Sequence, residues 1–451
     1  MSCSATLTKL IEATGAKPLN VSSTVLNNIS IGIQTDTRLI KSGEVFVALR
    51  GEKFDGHKFV PMAIEKGAIA AIVDFEYENQ GLPVLQVKNT LTAYQNIARW
   101  WRDSLDIPVI GVTGSVGKTT TKELIAAVLA TQGKVHKTHA NFNNEIGVPK
   151  TLLEVGNSHD FAVIEMAMRG MGQIADLTHI ARPTIGVITN VGTAHIELLG
   201  SEEAIASAKC ELLAEMPPDG VAILNHDNPL LMEVAAKVWQ GEVITYGLSG
   251  GDIQGSLIDN YTIEVAGIRL PLPLAGRHNA TNYLAALAVA KVLDISFTSL
   301  QSGVEVNMPS GRSQQFMLPN DVVILDETYN AAPEAMLAAL NLLAETPGRR
   351  RIAVLGAMKE LGERSHQLHQ RVGEMVKNLN LDALMVLIDG QDAETIVKSA
   401  EGIPSECFTC HTEMVTRLKS YVQAGDRLLF KAAHSVGLEK VVNQLRAECN
   451  C

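Results

Sequence analysis

The sequence contains no run of about 18 apolar residues, the length that a helix needs to cross a bilayer. Its opening stretch, "MSCSATLTKLIEATGAKPLN", also lacks the apolar core of a secretory signal. We therefore expect a cytoplasmic protein with no membrane span. Basic residues are not in excess either, because the formal net charge is -11, and this argues against nucleic acid as a partner.

Cysteine is scarce, with six residues in a chain of 451. So few cysteines do not make a disulfide scaffold, and in a reducing compartment they should be thiols. The segment "CFTCH" (407–411) has the spacing of a covalent haem site. Haem attachment requires export, and a zinc site would need a second pair of ligands. We interpret Cys407 and Cys410 as a partly buried pair of thiols.

The remaining pattern is that of an α/β protein without internal repeats or low-complexity segments. Short β-branched runs alternate with longer helical stretches, which is typical of mostly parallel sheets flanked by helices. The pattern starts once before residue 90, again at "IPVIGVTG" (107–114), and a third time beyond residue 310. We predict three domains, at residues 1–88, 89–309 and 310–451.

The segment "VTGSVGKTT" (112–120) ends like a phosphate-binding P-loop, although valine stands at 112 where the usual pattern has glycine. Gly114 and Gly117 allow backbone N–H groups to face phosphate oxygens. Lys118 can reach the terminal phosphates, and Thr119 offers a hydroxyl to Mg²⁺. Because a predicted strand precedes the loop and an amphipathic helix follows it, we predict a central P-loop mononucleotide-binding sheet. The third domain is predicted to be Rossmann-like.

Three further polar residues follow predicted strands or lie beyond them. Glu165 closes the strand "DFAVIE", where a carboxylate beside a P-loop is well placed to hold Mg²⁺. Taken alone, His195 is more often a hydrogen-bonded structural residue than a metal ligand. Lys209, taken alone, is more often a solvated surface charge.

Taken together, these segments resemble the ATP-dependent Mur ligases over essentially the whole chain. The resemblance rests on "TGSVGKTT" (113–120), "NFNNEIGVP" (141–149), Glu165, "NVGTAHIE" (190–197), "AKCE" (208–211), "GRHNATN" (276–282), "SGR" (310–312) and "DETYNAAP" (326–333). Within the family, "DTR" (36–38), "DGH" (55–57) and "LGAMKELGERSHQLHQRVG" (355–373) look like the members that add D-alanyl-D-alanine to UDP-N-acetylmuramoyl-tripeptide. The Asp-Asn-Pro-Arg motif of the members that add meso-diaminopimelate is missing.

The resemblance implies ATP and Mg²⁺ as cofactors, with two metal ions expected. Lys118, His195 and Lys209 would be the catalytic residues, and Lys209 would carry a carbamate. Thr119 and Glu165 would hold one Mg²⁺, while His195 and the carbamate would hold or organise the second. The nucleotide would contact Gly114, Ser115, Val116, Gly117, Lys118, Thr119 and Thr120, with Asn282 at the adenine, Arg312 near the phosphates and Asp326 at the ribose.

The first domain would hold the UDP part of the sugar substrate through Thr37 and Arg38. Without the resemblance, Arg38 is equally well read as a solvated surface charge. Asn143 and Asn144 either reach the sugar-peptide or stabilise a turn. We expect a monomer whose domains close before the tripeptide carboxylate meets ATP. The segment "KAAHSVGLEKVV" (431–442) departs from the family pattern, so His434 and Ser435 receive no role.

Two readings from other classes stay open at this point. One is a P-loop GTPase switch, although the Asn-Lys-x-Asp motif that recognises guanine is missing from the sequence. The other is a silent nucleotide-binding protein, against which the intact Lys118, Glu165, His195 and Lys209 argue. Within the ligase class, a relative that adds another amino acid or lengthens a folate polyglutamate tail is the nearest rival.

Overall fold

The structure is a computed structural model, and it describes residues 3–194 and 196–449, with only the backbone of Cys449. Its described residues form three large sheets that follow one another along the chain, with two short two-stranded ribbons in the first part. The predicted α/β class with a central P-loop sheet and a C-terminal Rossmann-like domain is confirmed. The predicted borders at 88/89 and 309/310 lie outside the strands of all three sheets, and they stay a prediction.

The first part of the chain builds a five-stranded sheet in the order β2-β9-β8-β5-β4. Helices α1 and α4 pack on one of its faces and join its core to that of the next domain. The strands are β1 Ala5–Thr6, β2 Lys17–Leu19, β3 Ile29–Ser30, β4 Ile33–Gln34, β5 Val45–Val47, β6 Arg50–Gly51, β7 Phe54–Asp55, β8 Ala70–Asp74 and β9 Val84–Val87. The helices are α1 Leu7–Thr14, α2 Ser23–Leu26, α3 Val60–Glu65 and α4 Thr90–Asp103, with a 3-10 turn at Gly56–Phe59.

The central sheet has nine strands in the order β11-β12-β10-β13-β14-β15-β16-β17-β18. Its strands are β10 Val109–Thr113, β11 Val135–Lys137, β12 Phe161–Glu165, β13 Ile185–Ile188, β14 Val221–Asn225, β15 Glu242–Gly247, β16 Ile253–Asp259, β17 Thr262–Val265 and β18 Ile268–Pro271. The helices are α5 Lys118–Leu129, α6 Gly147–Glu154, α7 Gln173–Ala181, α8 Ile196–Leu199, α9 Glu202–Glu215, α10 Pro229–Val238 and α11 Arg277–Val292, followed by a 3-10 turn at Phe297–Leu300.

The order of these central strands decides where a ligand can bind. Strands β11 to β16 run parallel, and β17 and β18 add an antiparallel edge that the sequence analysis did not predict. Strand β10 lies between β12 and β13, so the strands that follow it in the chain are added on both sides of it. Such a switch point opens a crevice at the carboxyl ends of the strands, where α/β proteins bind ligands.

The last sheet has six strands in the order β19-β20-β24-β21-β22-β23, of which only β19 is antiparallel. The strands are β19 Gln314–Leu318, β20 Val322–Asp326, β21 Arg350–Gly356, β22 Ala383–Leu387, β23 Ser405–Phe408 and β24 Asp426–Lys431. The helices are α12 Pro333–Glu345, α13 Ser365–Asn378, α14 Gln391–Ser399, α15 His411–Tyr421 and α16 Leu438–Cys449, with 3-10 turns at Gly362–Arg364 and His434–Val436. These elements enclose a separate hydrophobic core.

None of the described helices is both long enough and apolar enough to cross a membrane. The described cysteines Cys3, Cys210, Cys407 and Cys410 are free thiols. Cys407 and Cys410 are exposed, so the expectation that they are partly buried was wrong. Cys407 ends up outside the core because it lies on β23, at the edge of its sheet.

A buried histidine in the last domain gives the fold a pH dependence. His369 on α13 is completely buried; its Nε2 accepts a hydrogen bond from Met358 N at 2.9 Å, and its Nδ1 donates one to Ser365 O at 2.8 Å. Burial lowers the pKa of His369 below its ordinary value, because the charged ring would be desolvated. The neutral ring therefore stabilises the fold above a pH of about 6.5, the unfolded value.

This contribution should be lost as the pH falls from about 6.5 through the lower pKa of folded His369, at a slope of at most about 1.4 kcal/mol per pH unit. We predict that His369→Gln flattens the decline of the free energy of unfolding with pH in this window. Urea titrations between about pH 5 and 8 measure it, with the exposed His366 on the same helix as control (His366→Gln). An unchanged slope in His369→Gln would contradict the assignment.

Candidate active site

The P-loop leaves the sheet at β10 and enters α5 through two glycines, Gly114 and Gly117, at which a larger residue would be strained. Gly117 has φ 81°, and a Cβ there would lie 2.7 Å from Asn282 Oδ1. A Cβ on Gly114 would lie 1.8 Å from Thr189 Oγ1. Val112, where the usual pattern has glycine, is buried within β10 and paired with its neighbours. The valine therefore extends the strand, and the phosphate-binding turn keeps its glycines.

Lys118 is the first residue of α5 and lies across this loop. Its Nζ donates hydrogen bonds to Gly114 O at 2.6 Å and to Ser115 O at 3.2 Å. Burial lowers the pKa of Lys118 to about 8, Glu165 opposes this shift, and Arg312 adds to it. The ammonium is therefore held in a poorly solvated place, where an anionic ligand would stabilise it.

Glu165 ends β12 beside the loop, as the sequence analysis predicted. Its Oε1 accepts a hydrogen bond from Asn143 Nδ2 at 2.8 Å. Its Oε2 is buried and receives no hydrogen bond from the described residues, although Lys122 Nζ lies 3.7 Å away. A buried carboxylate oxygen without a donor is uncommon and suggests a missing ligand. Asn144 instead stabilises a turn, since its Oδ1 accepts from Gly147 N at 2.9 Å.

The oxygen atoms near this position suit magnesium. Thr119, at the positive end of α5, is almost fully buried, and Glu165 offers the oxygen that has no donor. Hydroxyl and carboxylate oxygens are the hard ligands that Mg²⁺ prefers, commonly together with substrate phosphates and water. Among the described residues, no group of three or more His, Cys, Asp or Glu side chains is placed to hold a metal. His195 lies outside the described residues.

Lys209 on α9 is only 2 % exposed, whereas the residue taken alone suggested a solvated surface charge. Burial lowers its pKa well below the ordinary value; the nearby Lys118 lowers it further, while Cys210 acts in the opposite direction. A buried lysine beside a second cation favours the neutral amine. This side chain is therefore set apart chemically from a surface lysine.

Most of the predicted nucleotide residues line one cleft, but Gly114 and Asp326 are not among its lining residues. Asn282 on α11 accepts a hydrogen bond from Thr121 Oγ1 at 3.2 Å and lines the cleft. Arg312 also lines it, with its guanidinium carbon 3.8 Å from the centre of the Tyr329 ring. Asp326 is differently placed, because its Oδ1 accepts from Thr328 N at 3.0 Å and Thr328 Oγ1 at 2.6 Å. Burial raises the pKa of Asp326.

The cleft has a volume of about 1210 Å³ and lies between the central and last domains. Its lining includes most of the P-loop, Glu165, and residues of the last domain that sequence analysis did not assign. Among these are Glu327, Glu334, Lys359, Glu360, Lys431, His434 and Ser435. The size is sufficient for a nucleotide together with a second small substrate.

Thr37 and Arg38 lie in the first domain, away from the residues that line this cleft. Arg38 makes a two-point contact with Asp36, with Nε to Oδ1 at 3.0 Å and Nη2 to Oδ2 at 2.6 Å. Its side chain is 86 % exposed. Thr37 is buried, and its carbonyl oxygen accepts from Lys66 Nζ at 2.9 Å. Because the guanidinium of Arg38 is exposed, its ion pair with Asp36 contributes little to stability. The role of Arg38 in binding UDP stays a prediction.

Comparison with known proteins assigns the family. Residues 31–102 match the Mur ligase family catalytic domain, 112–290 the Mur ligase middle domain, and 311–434 the Mur ligase glutamate ligase domain. A UDP-N-acetylmuramoyl-tripeptide–D-alanyl-D-alanine ligase of Synechocystis is 59% identical over 94% of this chain and 92% of its own. The chain belongs to the Mur ligase family.

Two solved Mur ligases have the same three-domain architecture. The crystal structure of MurF from Acinetobacter baumannii has a TM-score of 0.89 at 28% identity and covers 99% of both chains. MurF from Thermotoga maritima in complex with ADP has a TM-score of 0.84 at 31% identity, covering 93% of this chain and 98% of its own. The likeness therefore extends from the first domain to the last.

A buried ion cluster that the sequence did not predict lies beneath the P-loop of this Mur ligase. Lys122 is fully buried, and its Nζ donates to Thr138 O at 2.7 Å and lies 3.0 Å from Glu123 Oε1. Lys137 pairs with the other oxygen of Glu123. The signal was present, since Lys122 follows Lys118 by four residues and so lies near it on one face of α5. Lys122 Nζ also lies 3.7 Å from Glu165 Oε2.

We predict that Lys122→Met lowers the free energy of unfolding by about 3–5 kcal/mol, because Glu123 and Glu165 would lose a buried cation. Chemical denaturation measures this loss. The control is Lys134→Met, since Lys134 is exposed in the same domain, and it should stay within about 0.5 kcal/mol of the original protein. Equal stability of the two variants would show that the cluster contributes nothing.

Proposed function

We propose that this Mur ligase joins D-alanyl-D-alanine to UDP-N-acetylmuramoyl-tripeptide, with ATP converted to ADP and phosphate. The product would be the UDP-pentapeptide precursor of peptidoglycan. The observation that carries this proposal is the 59% identity, over nearly the whole chain, to a ligase named for this reaction. The ADP complex of the Thermotoga relative supports the use of ATP.

The reaction needs an activated carboxylate, because a carboxylate is a poor electrophile toward an amine. The terminal carboxylate oxygen of the tripeptide attacks the γ-phosphorus of ATP, so that ADP leaves and an acyl phosphate forms. The amine of D-alanyl-D-alanine then attacks the acyl carbon. The tetrahedral intermediate collapses to an amide, and phosphate departs with the acyl oxygen, while the amine loses its proton.

The chain's own groups contribute mainly charge and position to this chemistry. Lys118 lies across the loop that would hold the phosphates, so its ammonium can exchange the carbonyls of Gly114 and Ser115 for phosphate oxygens. The burial of Lys118 strengthens this attraction, because water screens it less. Asn282 would read the adenine, Arg312 would contact the phosphates, and Asp326 would reach the ribose after releasing Thr328.

Thr119 and Glu165 would hold one Mg²⁺, and His195 with a carbamate on Lys209 would hold or organise a second. Bound magnesium would neutralise the phosphate oxygens and make the γ-phosphorus accessible to an anionic nucleophile. For Lys209, burial favours the neutral amine, whose lone pair forms an N–C bond with CO₂ while a proton leaves. The resulting anion suits a metal site that the ammonium would repel.

The first domain would bind the UDP-sugar with Thr37 and Arg38, and the last domain would receive D-alanyl-D-alanine. On this plan, residues 1–88 bind the UDP-sugar and residues 89–309 bind ATP. Residues 310–451 form the side of the cleft that receives D-alanyl-D-alanine. We also propose that the protein acts in the cytoplasm as a monomer.

The proposed reaction predicts that phosphate release requires Mg-ATP, UDP-N-acetylmuramoyl-tripeptide and D-alanyl-D-alanine together. Omitting each in turn should reduce release to background, and mass spectrometry should detect a UDP-pentapeptide. Release that ignores the dipeptide or the UDP-sugar would contradict the proposal and favour a nucleotide switch or another ligase of the family.

The carbamate role predicts that Lys209→Ala loses activity about 100-fold, because an anionic group beside the metal site disappears. Short-chain carboxylic acids should restore part of the rate by filling the space with a carboxylate. The control is Lys237→Ala, since Lys237 forms an exposed pair with Glu233 on α10. Full activity of the Lys209→Ala protein would exclude the role, and loss without rescue by any acid would contradict the carbamate.

A further inference from the structure

The P-loop is held in place by the loop that follows β13. Ser115 N donates to Asn190 O at 3.1 Å, and Val116 N donates to Asn190 Oδ1 at 3.0 Å. Thr189 Oγ1 donates to Val116 O at 2.6 Å, and Gly192 N donates to Ser115 Oγ at 3.0 Å. Movement of the loop 189–193 would therefore move the P-loop backbone at Ser115 and Val116.

One side chain from the last domain holds the far end of this loop. Glu334 lies in the first turn of α12, and its Oε1 accepts from both Thr193 N at 2.8 Å and Thr193 Oγ1 at 2.9 Å. The approach is close, since a Cβ on Gly192 would lie 2.8 Å from the carboxyl carbon of Glu334.

Two ion pairs that also join these two domains have a different character. Arg169 pairs with Glu360, and Arg364 Nη1 lies 3.3 Å from Glu202 Oε1, but these side chains are between 31% and 72% exposed. Exposed pairs of this kind contribute little to stability. Glu334 instead has a buried Oε2 that receives no hydrogen bond from the described residues, and it lines the cleft. The contact of Glu334 with Thr193 is therefore less exposed to water than these ion pairs.

We propose that Glu334 is a positioning residue that couples closure of the last domain to the shape of the P-loop. When the cleft is closed, its carboxylate fixes Thr193, and the loop 189–193 carries this constraint to Ser115 and Val116. When the cleft opens, Thr193 loses both hydrogen bonds to the last domain. The P-loop would then reach its reactive shape only when the acceptor side of the cleft is in place.

The proposal predicts different effects for two substitutions of Glu334. Glu334→Ala removes the acceptor and should lower kcat about 10-fold or more, with a smaller change in KM for the dipeptide. Glu334→Gln keeps an oxygen acceptor and should retain kcat within about threefold of the original value. Glu345→Gln, at the exposed other end of α12, is the matched control and should leave kcat unchanged.

Small-angle scattering gives a readout that does not depend on turnover. The original protein, Glu334→Gln and Glu345→Gln should become more compact with a non-hydrolysable ATP analogue and the UDP-sugar, whereas Glu334→Ala should compact less. Thermal unfolding without ligand should be similar for all variants, because the contact joins two separately packed cores. Because the scattering contains no dipeptide, a wrong assignment of the dipeptide would affect turnover alone and leave the scattering comparison intact.

The proposal would be overturned if Glu334→Ala kept both the original kcat and the original compaction. It would also be overturned if Glu334→Gln and Glu334→Ala lost activity equally while both compacted normally, since the acceptor would then be irrelevant to closure. Absence of compaction in the original protein would contradict the coupling as well.

Discussion

The position of β10 between β12 and β13 is the constraint on which the rest of the site depends. In a parallel sheet, the carboxyl ends of neighbouring strands meet at one edge. The P-loop after β10, Glu165 at the end of β12 and Thr189 after β13 are therefore brought together by the sheet alone. The positions of the crevice, the N-terminus of α5 and the carboxylate all follow from this strand order.

Burial gives these groups their chemistry. Lys118, Lys122 and Lys209 are three lysines at or beneath one loop, and each has been removed from most of its water. Lys122 Nζ lies 3.0 Å from Glu123 Oε1 and 3.7 Å from Glu165 Oε2. Lys209 has Lys118 as a neighbour, and its neutral form is favoured. The surroundings of these three lysines therefore give their side chains different chemical properties.

The last domain completes the cleft and also reaches the loop that supports the P-loop. Its residues supply one wall, including Arg312 and Tyr329, while Glu334 contacts Thr193 on the opposite side. On the proposed plan, substrates bind across two domains, and a link between closure and the reactive geometry would keep ATP from reacting with water. The contact of Glu334 offers a physical path for that link.

The sequence by itself determined the α/β class, the P-loop and Glu165, because hydrophobic periodicity and glycine placement are local properties. Motif order added the family, which the comparisons confirmed. Only the tertiary structure decided the antiparallel edge of the central sheet, the exposure of Cys407 and Cys410, and the burial of Lys122 and Lys209. It also decided the contact between Glu334 and Thr193, which are 141 residues apart in the chain. Burial and long-range contacts depend on how the domains pack, and no short stretch of sequence contains that information.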